Sequence, residues 1–313
     1  MATITAKSNF NVAEDATTLR EAMKGFGTDE DIIIDILTTR TNNQRQAIAN
    51  YFKNDLERDL IDDLKSELGG HFEDVIVALI MPPTEYLCRE LNRAMDGAGT
   101  DEETLIEIIC SRENGEICKI VDTYESVYER PLTEHMCSET GGELRRLLTL
   151  ILTGTRDDSK IINAEEAKEK AQALYEAGEG RWGTHESTFS AILAHENFKQ
   201  LRLIFDEYKN ISGNTIEQAL KHELDGDYLD ALLTIVECIQ SPPAYFAQRL
   251  YKAMHGLGTD DKTLIRIIVS RSEIDLEQIK EEFERQYNKT LTSYVEQGET
   301  GGDYKKALLA IIK

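Results

Sequence analysis

Four short glycine-rich stretches could grip a ligand with main-chain atoms: MKGFGTDE (23–30), MDGAGTDE (95–102), GRWGTHE (180–186) and MHGLGTDD (254–261). A glycine loop ahead of a helix can turn the chain. It can also cradle phosphate on N–H groups at the positive end of the helix, or turn carbonyl oxygens toward a hard cation. The recurring partner residue separates these uses. A phosphate cradle wants lysine or arginine. Here the partner is a carboxylate in every copy: Glu67 in ELGG, Glu139 in ETGG, Glu223 in ELDG and Glu299 in ETGG. The glutamate follows the last glycine of the loop by 40 residues in the first three copies and by 41 in the fourth. Carbonyls with a carboxylate make an all-oxygen site. Such a set suits Ca²⁺, which takes six to eight oxygens at roughly 2.3–2.6 Å. One formal negative charge per site implies weak binding, on the order of 10⁻⁴–10⁻³ M. It also leaves coordination positions open to water or to a lipid phosphoryl oxygen.

These residues must be held by helices. Aligned on Thr28, Thr100, Thr184 and Thr259, the copies are spaced by 72, 84 and 75 residues, the mark of an internal repeat. Five residues after each glutamate an apolar stripe begins at offsets 0, 3, 4, 7 and 8, one face of a helix. It reads Phe72, Val75, Ile76, Leu79, Ile80 in the first copy and Leu144, Leu147, Leu148, Ile151, Leu152 in the second. The third is Tyr228, Ala231, Leu232, Ile235, Val236 and the fourth Tyr304, Ala307, Leu308, Ile311, Ile312. The stripe sets the register, so the extra residue of the fourth copy falls upstream of Glu299. The loop threonines read as helix N-caps, with an acid three residues on in the first two copies. Runs such as IIIDILTTR and TLIRIIVSR after the loops are helical, and no strand pattern stands out. The expectation is an all-α chain of four five-helix repeats. A tail covers 1–14, the repeats cover 15–82, 83–153, 167–238 and 239–313, and a linker at 154–166 divides them into two pairs.

The composition narrows the partners. The 313 residues carry a formal charge of −23, which repels nucleic acid and anionic membranes alike unless a cation or a local basic patch intervenes. A bridging metal resolves that conflict. Five cysteines without a CxxC fit reduced thiols in the cytosol. The start of the chain has no apolar leader-like run and no apolar stretch approaches 18 residues, so neither secretion nor membrane spanning is indicated. There is no HExxH, GxxxxGK[ST] or GxSxG, and DGDYLD at 225–230 lacks the ligand ladder of an EF-hand, so nothing argues for an enzyme. Arg40, Arg112 and Arg271 each lie 12 residues past a loop threonine, where the third copy has Glu196. A cation at a helix C-terminus is explanation enough. Trp182, the sole tryptophan, sits in the third loop. It reads either as an indole entering the lipid headgroup zone or as a partly buried core residue.

The fourfold pairing of KGFGTDE, DGAGTDE, GRWGT and HGLGTDD with DLKSELGG- and GETGGDYKKALL-type segments resembles the annexin family over about residues 12–313. The resemblance implies a slightly curved all-helical disc whose calcium loops dock on acidic, phosphatidylserine-type phospholipid. Carried across, it implies carbonyl ligands at Met23, Gly25 and Gly27 with Glu67, and at Met95, Gly97 and Gly99 with Glu139. It further implies Met254, Gly256 and Gly258 with Glu299. The third loop departs from the Met-x-Gly start, and members with a similar loop suggest Gly178, Arg181 and Gly183 with Glu223. The family's central polar channel is matched by Glu90, Glu107, Arg112 and Arg266, while Leu87 falls where an acid is frequent; buried ion pairs fixing the two halves are the simpler reading. The family further implies a cytoplasmic protein that joins membranes when calcium rises, a tail that binds a protein partner, and trimer assembly on lipid as an option. Two rivals remain at this level. A helical-repeat protein scaffold would need shorter units, near 34–47 residues. A hydrolase with paired carboxylates rests only on the abundance of Asp and Glu.

Overall fold

The structure is a computed structural model that describes residues 1–313 except Phe26, Arg181 and Trp182. The described residues form twenty α-helices and no strand, five helices to each repeat. The first repeat holds α1 (Val12–Ala22), α2 (Glu30–Thr38), α3 (Asn42–Asp55), α4 (Leu60–Glu67) and α5 (Gly70–Ile80). The second holds α6 (Pro83–Met95), α7 (Glu102–Cys110), α8 (Asn114–Tyr128), α9 (Leu132–Glu139) and α10 (Gly142–Leu152). The third holds α11 (Ala164–Ala177), α12 (Glu186–His195), α13 (Phe198–Ser212), α14 (Ile216–Glu223) and α15 (Gly226–Gln240). The fourth holds α16 (Pro242–Met254), α17 (Asp261–Arg271), α18 (Leu276–Tyr287), α19 (Leu291–Gln297) and α20 (Gly302–Ile312).

Every side chain of the four apolar stripes is buried. The helices that carry them pack on the helices that follow the loops. The chain forms two compact units, one of residues 1–86 with 243–313 and one of residues 87–242. In the first, α5 and α20 pack on each other and on α2 and α17. In the second, α10 and α15 do the same with α7 and α12. Helices at such a centre are apolar nearly all round: Thr104 to Cys110 of α7 are buried without a break. Repeat 1 is thus grouped with repeat 4, and repeat 2 with repeat 3. This differs from the division expected at the 154–166 insertion. Consecutive repeats 2 and 3 share a core, and the insertion is tied down beside it. Arg156 donates to the carbonyl of Glu196 at 2.7 Å and lies over the Phe198 ring at 5.0 Å. The amide of Asp157 donates to the His195 carbonyl at 2.8 Å. Helix α11 begins at Ala164, capped by the Asn163 side chain, so the last residues assigned to the linker are helical.

The tail is also bound. The amides of Thr3 and Ile4 donate to the Ser272 carbonyl at 2.8 and 3.1 Å, and the Ile4 side chain is buried. Further on, the amide of Lys7 donates to Gln44 Oε1 at 3.1 Å and Gln44 Nε2 donates back to the Lys7 carbonyl at 2.9 Å. Eleven residues thus run from repeat 4 to repeat 1, and α1 starts at Val12.

The arginines past the loops have specific partners. Arg40 makes a two-pronged ion pair with Asp15 on α1, at 2.6 and 2.8 Å, with both residues buried. The same two positions in repeat 3 hold the reverse charges, and Lys170 on α11 pairs with Glu196. In repeat 4 they hold Phe246 and Arg271, whose guanidinium lies 4.6 Å from the ring centroid. Arg271 also pairs with Asp275 at 2.6 and 2.7 Å. In repeat 2 the positions hold Leu87 and Arg112. In repeats 1, 3 and 4 the contact joins the helix before a loop to the end of the helix after it. A lone charge left buried at such a place costs about 3–5 kcal/mol. Urea unfolding of Asp15→Lys and Arg40→Glu should therefore each show a loss of about 3 kcal/mol, and the double variant, which copies repeat 3, should recover more than half of it. Strictly additive losses would contradict a pairing role.

Candidate calcium loops

In repeat 1 the loop is closed by the Asp29 amide donating to the Ala22 carbonyl at 2.9 Å. Asp101 to Ala94 and Asp260 to Ala253 repeat the bond, each at 2.8 Å. In repeat 3 His185 donates to the Ala177 carbonyl at 2.8 Å, across a loop one residue longer. To reverse within so few residues the backbone uses φ values open to glycine: +100° and +90° at Gly25 and Gly27, +107° and +103° at Gly97 and Gly99, and +119° and +84° at Gly256 and Gly258. Repeat 3 has only Gly183 in this region, at +82°, among its loop glycines. Its longer loop instead needs Gly180 for a close approach, because a Cβ there would lie 2.9 Å from the Tyr175 carbonyl oxygen.

The carbonyl oxygens of Met23, Gly25 and Gly27 accept no hydrogen bond from the described residues. Those of Met95, Gly97 and Gly99, of Met254, Gly256 and Gly258, and of Gly178 and Gly183 are likewise without a donor among them. The glutamates arrive from a distant helix end. Glu67, Glu139 and Glu223 are the last residues of α4, α9 and α14. After each, one residue and then Gly69, Gly141 or Asp225 are extended, and the following glycine, Gly70, Gly142 or Gly226, has φ near +60°. Thr28 Oγ1 donates to Glu67 Oε2 at 3.0 Å, and Thr184 Oγ1 to Glu223 Oε2 at 2.9 Å. In repeat 2 Thr100 Oγ1 donates to the main-chain oxygen of Glu139 at 3.0 Å, while Ser138 Oγ holds Glu139 Oε1 at 3.1 Å. A Cβ on Gly178 would come within 3.5 Å of Glu223 Cγ, so this glycine and its partner acid adjoin.

The fourth copy is built differently. Helix α19 stops at Gln297, and Gly298 is the additional residue. Thr300 Oγ1 donates to the Val295 carbonyl at 3.1 Å, five residues back. Thr140 Oγ1 reaches the matching Met136 carbonyl at 2.7 Å, four residues back. The bulge at Gly298 is therefore absorbed before Thr300. Among the described residues no hydrogen bond joins Thr259 to Glu299. The loop is held instead by His255, stacked on Tyr251 with centroids 4.6 Å apart and with Nδ1 3.3 Å from the Tyr294 hydroxyl.

The helix caps differ from the sequence expectation. The N-caps of α2, α7 and α17 are Asp29, Asp101 and Asp260, which accept from the amides of Ile32, Thr104 and Thr263 at 3.0–3.1 Å. Threonine and aspartate both cap well, and the aspartate stands one residue closer to the helix, which frees the threonine hydroxyl. Sequence reasoning also missed Glu179. Its carboxylate accepts from Tyr208 Oη and Asn214 Nδ2, each at 2.7 Å, and fastens the longer third loop to α13. Its place in the one irregular loop was the available signal. Arg181 and Trp182 lie outside the described residues. Glu90, Glu107, Arg112 and Arg266 are all buried; Glu90 accepts from Arg93 at 2.7 Å.

Among the described residues no three His, Cys, Asp or Glu side chains converge on a point. The first three loops instead offer main-chain oxygens without a donor among the described residues and an adjoining glutamate, a donor set that fits a hard cation such as Ca²⁺. No helix of the described residues is long and apolar enough to cross a membrane. A family model described as Annexin matches residues 14–79, 86–151, 169–235 and 245–311, one match per repeat. The chain belongs to the annexin family. Annexin B10 of Drosophila melanogaster is 59% identical over 311 residues, covering 99% of this chain and 97% of its own. The solved structure of annexin III superposes with a TM-score of 0.97 at 44% identity, over 99% of this chain and 96% of that one. A calcium-bound annexin (Sm)1 superposes with a TM-score of 0.89 at 33% identity, over 100% and 93%. Annexins are in general non-enzymatic proteins that bind phospholipid when calcium is present.

The loop geometry ranks two glycine replacements. Glu57, Glu129 and Asn288 already adopt φ of 52–54° in this chain, so Gly142→Ala, at +57°, should cost only about 1 kcal/mol in urea unfolding. At +107° Gly97 lies outside that well, and Gly97→Ala should cost about 2–3 kcal/mol. The reverse order would contradict the conformational role assigned to this loop.

Proposed function

We propose that the chain attaches to acidic phospholipid membranes by gripping calcium in its glycine loops and presenting it to lipid phosphate. In this reading the carbonyls of Met23, Gly25 and Gly27 with Glu67 form one site, and those of Met95, Gly97 and Gly99 with Glu139 a second. Gly178 and Gly183 with Glu223 form a third, to which the sequence adds Arg181. Met254, Gly256 and Gly258 with Glu299 form the fourth. The observation that carries the reading is the tie between Thr28 and Glu67, 39 residues apart, which sets a carboxylate at a loop whose carbonyls have no donor among the described residues. When bound, Ca²⁺ supplies the positive charge that a chain of net charge −23 lacks toward an anionic bilayer, together with coordination positions open to lipid oxygen. The loops need little rearrangement to offer their oxygens, because the closing bonds and glycine dihedrals are already in place. Four weak sites on one chain would also act together through effective concentration, which steepens the response to calcium.

The calcium-bound relative and the family match support the same reading. It implies a cytoplasmic protein recruited to membranes as calcium rises, in membrane organisation or trafficking. Co-sedimentation with phosphatidylserine vesicles tests it. Binding should be nearly complete in millimolar-range calcium and lost on adding chelator. Replacing Glu67, Glu139, Glu223 and Glu299 together by glutamine should raise the calcium required at least about tenfold. Binding that survives chelation, or a quadruple variant that behaves like the parent, would remove the bridge.

A further inference from the structure

We propose that Thr28 and Thr184 are positioning residues that aim the glutamate of their own loop, so that the first and third sites have a preset carboxylate while the fourth does not. This deepens the calcium reading above and rests on it. The inference starts from the caps. A threonine ahead of a helix ordinarily spends its hydroxyl on the helix N–H groups. In repeat 1 Asp29 has taken that duty, accepting from the Ile32 amide at 3.1 Å. Thr28 Oγ1 instead reaches the carboxylate of Glu67 at 3.0 Å. In repeat 3 the cap position holds His185, with no side-chain cap bond, and Thr184 Oγ1 still donates to Glu223 Oε2 at 2.9 Å. The same bond in two repeats with different caps marks the glutamate, not the helix, as the threonine's object.

Glutamate has much rotamer freedom to lose, and Glu67 stands exposed at the very end of α4. One O–H to Oε2 fixes the carboxylate beside the loop and leaves most of its lone pairs open to a cation. The copies without this bond show what it adds. Thr100 holds the main chain of Glu139, and Ser138 holds the side chain. In repeat 4 the Gly298 bulge shifts the acid by one residue, and Thr259 and Glu299 are not joined.

The full chain serves as the test, with calcium alone as the probe and isothermal calorimetry as the readout. In an E139Q/E223Q/E299Q background, which keeps only Glu67, T28V should raise the calcium Kd about fivefold, the size of one typical lost hydrogen bond at an exposed site. T28S, which keeps the hydroxyl, should stay within about twofold of the parent. In an E67Q/E139Q/E223Q background T259V should change the Kd by less than about twofold. Unfolding midpoints in chelator should be alike for T28V and T28S, which separates aiming from stability. The proposal is overturned if T28V binds calcium like the parent, if T28S weakens binding as much as T28V, or if T259V has the effect of T28V. Should T28V fold poorly, the T28S comparison still decides. If E67Q in the otherwise unaltered chain leaves calcium uptake unchanged, the calcium reading itself falls and the positioning with it. If E67Q weakens uptake and T28V does not, only the positioning falls.

Discussion

The bond from the Asp29 amide to the Ala22 carbonyl closes a loop too short for ordinary backbone, and the character of the site follows from that closure. Only glycine accepts φ near +100° without strain, so Gly25 and Gly27 are required before any ligand is considered. A chain that reverses this way between two helices leaves several carbonyls outside either hydrogen-bond ladder. Buried, they would cost stability; at a surface they are a resource. They carry partial negative charge and can serve only a donor or a cation. The neighbouring glutamate adds a formal negative charge to these oxygens, and that favours the second choice in the reading proposed above.

The helices exist to hold that arrangement still. In repeats 1, 3 and 4 the loop joins two helices that a side-chain contact braces away from the loop, and in the first three repeats the glutamate comes from the end of a third helix, steered by the extended pair and left-handed glycine that follow it. A carboxylate 39 residues away in sequence meets its threonine at 3.0 Å because α2 and α4 both pack on α5, the stripe-bearing helix of the repeat. The rigidity of the core is therefore part of the site. It would also bear on the affinity of the proposed calcium sites, because a singly charged site can ill lose further free energy to loop ordering.

Much of this was legible in the sequence, for physical reasons. The stripes at 3.6-residue spacing gather on one face only if the segment is a helix, so their helices and register were readable, as were the loop glycines and the acids that recur 40 or 41 residues on. Other features were hidden. Thr28 and Asp29 are both good caps, and which one takes the helix depends on the loop closure, a matter of three-dimensional fit. The grouping of repeat 1 with 4 and of 2 with 3 was not readable, because four similar stripes could pack on one another in several orders. Beyond its place in the irregular loop Glu179 carries no signal in the sequence, because an acid in an acidic chain looks like a solvated surface residue, and only the fold brings Tyr208 and Asn214 onto it.

The pairs that brace the loops carry the argument one step further. At one structural position the chain uses Asp15 with Arg40, at its equivalents Lys170 with Glu196 and Phe246 with Arg271. If charge at these positions served a ligand, reversing it in one repeat would reverse that repeat's preference. If it serves packing, sign is free and only complementarity matters. The inversion in repeat 3, beside a loop that keeps its threonine–glutamate bond, fits the second case. Mismatched helices from different repeats would also set like charges together, Asp15 against Glu196 or Lys170 against Arg40, at the cost of a buried repulsion. Four homologous units in one chain face that hazard during folding, and the private pairings of repeats 1, 3 and 4 discriminate against it without touching the loops that the repeats share.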